Sequence, residues 1–139
     1  MIALTSCSSS EPEPVVINLT ISASDNINPS QVSDANPVVM RLYQLSALDD
    51  FNSAQVLDLY QQDTKLLAKT LIQKQNLDSV LPDEKKVIVI TLQPNTKFLA
   101  VFAQFSDYSQ AKTKASVDVS NIEDIASISL SVASLSVNM

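Results

Sequence analysis

The chain contains no glycine, no histidine and no tryptophan, and only one cysteine among its 139 residues. Without glycine there are no phosphate-cradling loops and no dinucleotide fingerprints. Turns that need a positive φ must then fall to Asn and Asp, which tolerate it better than other side chains. Asn26, Asn28, Asn36, Asn95 and Asn121 stand where turns are expected. Without histidine the commonest general base and metal ligand is missing, and a Ser-His-Asp triad is excluded. A single cysteine excludes an internal disulfide and a thiolate metal cluster. Positive charge is also scarce: 9 Lys and Arg against 15 Asp and Glu give a net charge of −6. The cations are scattered, whereas a nucleic-acid binder carries a basic stripe. No apolar run approaches the roughly 18 residues of a spanning helix.

What is present is a folded domain. Hydrophobic residues make up 45% and charged residues 17% of the chain, a balance that buries one core. Residues 1–14 stand apart as a flexible tether, and residues 15–139 read as a single β-domain. Ser8–Pro14 (SSSEPEP) has nothing to bury. Its prolines favour an extended chain reaching about 25 Å at roughly 3.5 Å per residue.

Period-two alternation begins at Val15, where Val15, Ile17, Leu19 and Ile21 face one way and Asn18, Thr20 and Ser22 the other. This is a half-buried strand. Ser22–Pro37 is a polar loop whose large apolar residues are Ile27 and Val32, and it is far longer than the usual four to six residues. Val38–Leu45 is apolar on both faces, as in a strand covered on both sides. Its one charge, Arg41, is expected to reach an edge or pair with a carboxylate.

Ala47–Gln62 shifts to helical spacing, with Ser46 and then Asn52 or Ser53 as candidate N-caps. Within Thr64–Leu77, Leu66, Leu67 and Leu71 fit a helix face, whereas Thr70–Asp78 fits an irregular edge strand, and a helix-to-strand transition is expected near Ala68. Lys86–Leu92 and Lys97–Phe105 read as strands joined by a Gln93–Thr96 turn into a hairpin. Ala115, Val117 and Val119 mark another strand, and Asn121–Asp124 a turn. Ile128, Leu130 and Val132 alternate with serines before the phase slips, implying a bulge near Ala133-Ser134 or a strand changing sheets. Short strands with one helical excursion make an antiparallel β-sandwich.

Two features carry function. Leu4-Thr5-Ser6-Cys7 matches a bacterial lipobox, in which the Cys7 thiolate accepts a diacylglycerol and its freed amine is then acylated. Several chains at about 0.8 kcal/mol per buried methylene anchor a protein stably. Only three residues precede Leu4, whereas a signal needs an apolar region of about 7 to 15, so the natural precursor is expected to begin upstream of Met1. The second feature is the long loop, because irregular loops on rigid sandwiches are where binding concentrates. Its candidate contact residues are Asp25, Asn26, Ile27, Asn28, Pro29, Gln31, Val32 and Asp34, with Ile27 and Val32 as anchors. The carboxylates Asp49-Asp50, Asp58, Asp63 and Asp83-Glu84 lack calcium-loop spacing and read as solvated charges or caps. No catalytic group, metal or cofactor is expected beyond the covalent lipid.

Arg41-Leu42-Tyr43-Gln44-Leu45, followed by Phe51, Ala54, Val56, Leu57 and Leu59, resembles the signature of the TssJ (SciN) family of type VI secretion lipoproteins. Leu81-Pro82 and Leu92–Val101 are similar to the family's later segments. Asp83 departs from it where a Gly is usual, and Ala111-Lys112-Thr113 where a Trp is frequent. The resemblance implies a transthyretin-like β-sandwich with a short helical insertion, lipid-anchored on the periplasmic face of the outer membrane. It also implies that the loop between the first two strands contacts the periplasmic C-terminal domain of TssM, the inner-membrane partner. The competing reading is another surface lipoprotein, an adhesin or sugar-binding sandwich, which would need exposed aromatics.

Overall fold

The computed structural model describes residues 14–120 and 127–139, so Cys7 and the expected Asn121–Asp124 turn lie outside the described residues. The strands are β1 (Val15–Ala23), β2 (Val39–Leu45), β3 (Leu71–Asn76), β4 (Lys85–Leu92), β5 (Phe98–Gln104), β6 (Lys114–Asp118), β7 (Ser127–Ala133) and β8 (Ser136–Asn138). Helices α1 (Asp49–Ser53) and α2 (Val56–Leu66) intervene between β2 and β3. Two four-stranded sheets stack, ordered β4-β1-β7-β8 and β3-β2-β5-β6. The pairings are antiparallel except β1 with β7, which run parallel. The sandwich expected from the alternation is there, with that one parallel pair added.

Alternation decides what each face meets. Ile17, Leu19 and Ile21 of β1 point inward with Ile90, Leu92, Leu130 and Val132, against Met40, Leu42, Leu99 and Val101 of the other sheet. The opposite face of β1, with Asn18 and Thr20, is left to solvent or half-buried. The second sheet is apolar on both sides because the helices cover its outer face. Tyr43, Leu45, Ala100 and Phe102 pack there against Phe51, Leu59 and Leu67. The Tyr43 and Phe51 rings sit 5.8 Å apart at 59°, within the range of favourable tilted aromatic pairs.

With no glycine available, Asn28, Asp83, Asn95 and Ser134 take the positive-φ positions among the described residues, at φ 50°, 62°, 70° and 50°. Three are Asn or Asp, as their tolerance of this region predicts. Ser134 opens a two-residue turn between β7 and β8 that pairs Ala133 with Ser136. The phase slip at Ala133-Ser134 is therefore a chain reversal within one sheet and not a bulge or a sheet change.

The expected hairpin after Lys86 also resolves differently. Strand β4 pairs with β1 and β5 with β2 and β6, so the Gln93–Lys97 turn carries the chain from one sheet to the other. The buried side chain of Gln44 holds this crossover. Its Nε2 donates to the Thr91 carbonyl at 2.9 Å, and its Oε1 accepts from the Gln93 N–H at 2.7 Å and the Thr96 hydroxyl at 2.9 Å. Local patterning sees two strands and a turn; only the partner strands distinguish a hairpin from a crossover. Gln44→Leu removes three hydrogen bonds and leaves the Gln93 N–H without its acceptor, so it is expected to cost about 2 kcal/mol in urea unfolding.

The expected caps are not used. Leu48 and Gln55 occupy the N-cap positions without side-chain bonds. Ser46 instead ties the end of β2 to the start of β3, its N–H donating to the Thr70 carbonyl at 2.9 Å. At the other end of α1, the Lys114 ammonium donates to the carbonyls of Phe51 (2.8 Å), Asn52 and Ala54, where a cation complements the helix dipole.

Candidate functional site

The candidate loop joins β1 to β2 at one end of the sandwich, and its middle is pinned rather than loose. The Asn28 backbone N–H donates to the Ser134 carbonyl at 2.8 Å, and its side chain bridges two neighbours. Nδ2 donates to the Pro37 carbonyl at 2.8 Å, while Oδ1 accepts from the Ser106 N–H at 2.9 Å. Asn36 closes the base, its Nδ2 donating to the Asn28 carbonyl at 2.8 Å and its N–H to the Ile27 carbonyl at 3.0 Å. Asn28 thus staples the loop to the turn after β5 and to the β7–β8 turn.

This pinning divides the eight sequence-picked residues. Ile27 is fully buried in the main core and Asn28 is buried beside it. Neither offers a surface, and their part is to fix the loop's shape. The expectation that Ile27 anchors a partner is corrected on this ground: an isoleucine next to a polar loop is drawn into the core when the backbone bends inward. Asp25, Asn26, Gln31, Val32 and Asp34 are exposed, and Pro29 is half-buried. Val32 is 93% exposed at the tip of a tight Ser30–Ser33 reversal closed by a 2.8 Å backbone bond. Pro29, Gln31 and Val32 line an open groove together with Ser106, Asp107 and Leu135. Those last three escaped the sequence reading, since they come from turns far along the chain.

Beneath the helices lies the Arg41-Leu42-Tyr43-Gln44-Leu45 segment, and the structure gives each residue a task. Leu42 and Leu45 fill the two cores, on opposite faces of β2, and Gln44 holds the crossover. Arg41 and Tyr43 share one buried acceptor, Asp63 on α2. Asp63 Oδ2 accepts from the Tyr43 hydroxyl at 2.7 Å, from Arg41 at 3.1 Å and from Lys74 at 2.8 Å. Oδ1 accepts from the Thr64 N–H at 2.8 Å. The other Arg41 bonds go to the carbonyls of Leu59 and Tyr60, each at 3.1 Å. Burial would raise the Asp63 pKa, yet bonds from Lys74, Tyr43 and the Thr64 N–H outweigh it and hold the carboxyl below its usual range. Burial, then the Asp63 hydrogen bond, push the Tyr43 hydroxyl well above its ordinary value.

Asp63 is therefore a structural anion and not the solvated charge expected of it. Its position four residues after Leu59, on the buried side of α2, was the available signal. The Arg41 expectation of a carboxylate partner holds.

The family model described as type VI secretion lipoprotein, VasD, EvfM, TssJ matches residues 15–134. The fold is similar to the T6SS lipoprotein TssJ1 from Pseudomonas aeruginosa, with TM-score 0.81, 23% identity, and 89% of this chain and 93% of that one covered. It is also similar to Serratia marcescens Lip, a membrane bound component of the type VI secretion system, with TM-score 0.79, 14% identity, and 89% and 96% covered. A third match, in a structure of the T6SS protein TssM C-terminal domain from EAEC, has TM-score 0.71 and 22% identity over 88% and 94% of the two chains. No curated protein sequence matches. At these identities the solved structures establish the fold, and the family model, which spans nearly the whole described domain, establishes more: the chain belongs to the type VI secretion lipoprotein family of VasD, EvfM and TssJ.

Proposed function

We propose that this lipoprotein bridges two membranes, with acyl chains on Cys7 in the inner leaflet of the outer membrane and the periplasmic C-terminal domain of TssM held at the β1–β2 loop. Its role is mechanical scaffolding and not catalysis. The observation that carries this reading is polarity along β1. Val15, where the tether enters, and Ala23, where the loop begins, are the two ends of one nine-residue strand. At roughly 3.3 Å per residue they stand about 26 Å apart. A lipid at one pole leaves the other pole facing into the periplasm. A pinned loop suits such a coupling, because a preformed contact surface loses little freedom on binding and transmits load without stretching.

The exposed loop tip supplies the contact and the buried Ile27-Asn28 pair supplies its shape. Calorimetric titration of the 139-residue chain into the TssM C-terminal domain checks this. Val32→Asp is expected to weaken binding by about tenfold or more, as truncating a central apolar contact does, with circular dichroism unchanged. Unaltered affinity in that variant would remove the loop from the interface.

A further inference from the structure

We propose that the docking surface for that same partner continues past the loop into a second groove, between α2 and the turn after β5, which takes an apolar side chain set on a basic surface. This rests on the reading that the loop pole binds the partner. Three large apolar side chains cluster around this groove in the open: Leu57 at 49%, Tyr60 at 52% and Tyr108 at 41% exposure. They surround a cavity of about 290 Å³ floored by Phe102 and Phe105. Most hydrophobic side chains of this domain are buried, so a cluster left in water marks a contact surface.

One wall of the groove is braced. The Arg41 guanidinium sits 5.5 Å from the Tyr60 ring centre and donates to the Tyr60 carbonyl at 3.1 Å, while Asp63 anchors the same arginine from below. Tyr60 is thus held in place before any partner arrives, which lowers the entropy cost of binding.

Continuity identifies the occupant. Phe105 and Tyr108 line this groove, and Ser106 and Asp107, between them in the chain, line the groove beside Val32. The Asn28–Ser106 bond locks the loop to that shared turn, so both grooves present as one surface. Charge gives its chemistry. Among the described residues neither groove is lined by Lys or Arg, the Arg41 cation beneath Tyr60 is paired with Asp63, and Asp25, Asp34 and Asp107 are exposed on the loop and the shared turn. Such a surface complements apolar side chains flanked by cations and repels an acidic face.

The test is titration of the 139-residue chain into the TssM C-terminal domain at low and high salt. A Leu57→Asn/Tyr108→Ser variant runs beside Val32→Asp, and Tyr108→Ser alone serves should the double variant lose its circular dichroism spectrum. Both groove and loop variants are expected to weaken binding by about tenfold, and wild-type affinity to fall as salt rises. Groove variants that bind like wild type while Val32→Asp fails would overturn this inference and leave the loop reading standing. Loss in the groove variants with Val32→Asp unaffected would remove the loop from the interface and, with it, the continuity on which this inference rests. A wild type that does not bind at all would overturn both.

Discussion

Replacing Asp63 with Ala is expected to destabilise the fold by about 3 kcal/mol, the lower end of what breaking a buried ion pair costs. Arg41, Lys74 and the Tyr43 hydroxyl all lose their acceptor at once. Arg41 keeps its two carbonyl bonds and Lys74 is 26% exposed, which is why the upper end is not reached. Thermal unfolding should fall by roughly 6 to 12 °C for a chain of this size. A loss under about 1 kcal/mol would contradict the role given to Asp63.

The same group sets a pH signature. The folded-state pKa of Asp63 lies below its ordinary value of 3.8. Its contribution is therefore fully present above that unfolded value and drains away as pH falls through the lower folded one. Urea midpoints measured between pH 7 and pH 3 should decline more steeply for the wild type than for Asp63→Asn, which has no carboxyl to protonate. Parallel curves would contradict the assignment.

Ile27→Ala is expected to cost about 3 kcal/mol, as large-to-small changes in a packed core do, although Ile27 sits in a polar loop. Five residues away, Val32→Ala should change stability by less than about 0.5 kcal/mol. The difference follows from burial alone: Ile27 is fully enclosed and Val32 is 93% exposed. Urea unfolding of the two variants separates them. Similar losses would mean that Val32 packs against the body, and no loss in either would mean that the loop is unpinned. A loop variant at Ile27 also loses partner binding indirectly, by loosening the Asn28 staples, so only Val32 reports on contact.

The elements visible in the sequence were those whose reasons are local. Alternation in β1 and β7 and the doubly apolar β2 each follow from the faces these strands present. The helix-to-strand transition expected near Ala68 falls between Leu66, the end of α2, and Leu71, the start of β3. Asn28 and Asn95 took turn positions because a glycine-free chain has few other choices. What stayed hidden depended on partners distant in the chain. Nothing in Lys86–Phe105 says that β4 pairs with β1 and β5 with β2. Gln44, an ordinary polar residue within an apolar strand, becomes a crossover tie only when Thr91, Gln93 and Thr96 fold beside it.

The candidate site divides the same way. The loop was legible as a length and composition anomaly. That its apolar pair splits into one core residue and one tip residue was not, because both sit among similar polar neighbours. Ser106 meets Asn28 from 78 residues along the chain, with Asp107 beside it, and no periodicity links them to the loop. The Arg41–Asp63 pair was half legible: the cation stood out in an apolar strand, whereas its carboxylate carried only the weaker signal of a four-residue spacing from Leu59.

The bridging claim rests on two poles doing different work, and one membrane fractionation separates them. Cells expressing TssM with wild-type chain, Cys7→Ser or Val32→Asp would be lysed, their membranes resolved on a sucrose gradient, and the chain captured from each fraction. Wild type is predicted in the outer-membrane fractions with TssM bound. Cys7→Ser is predicted to leave them while still capturing TssM, and Val32→Asp to stay in them while losing it. A Cys7→Ser chain that remained in the outer membrane, or a single substitution that abolished both properties in a folded protein, would contradict the account.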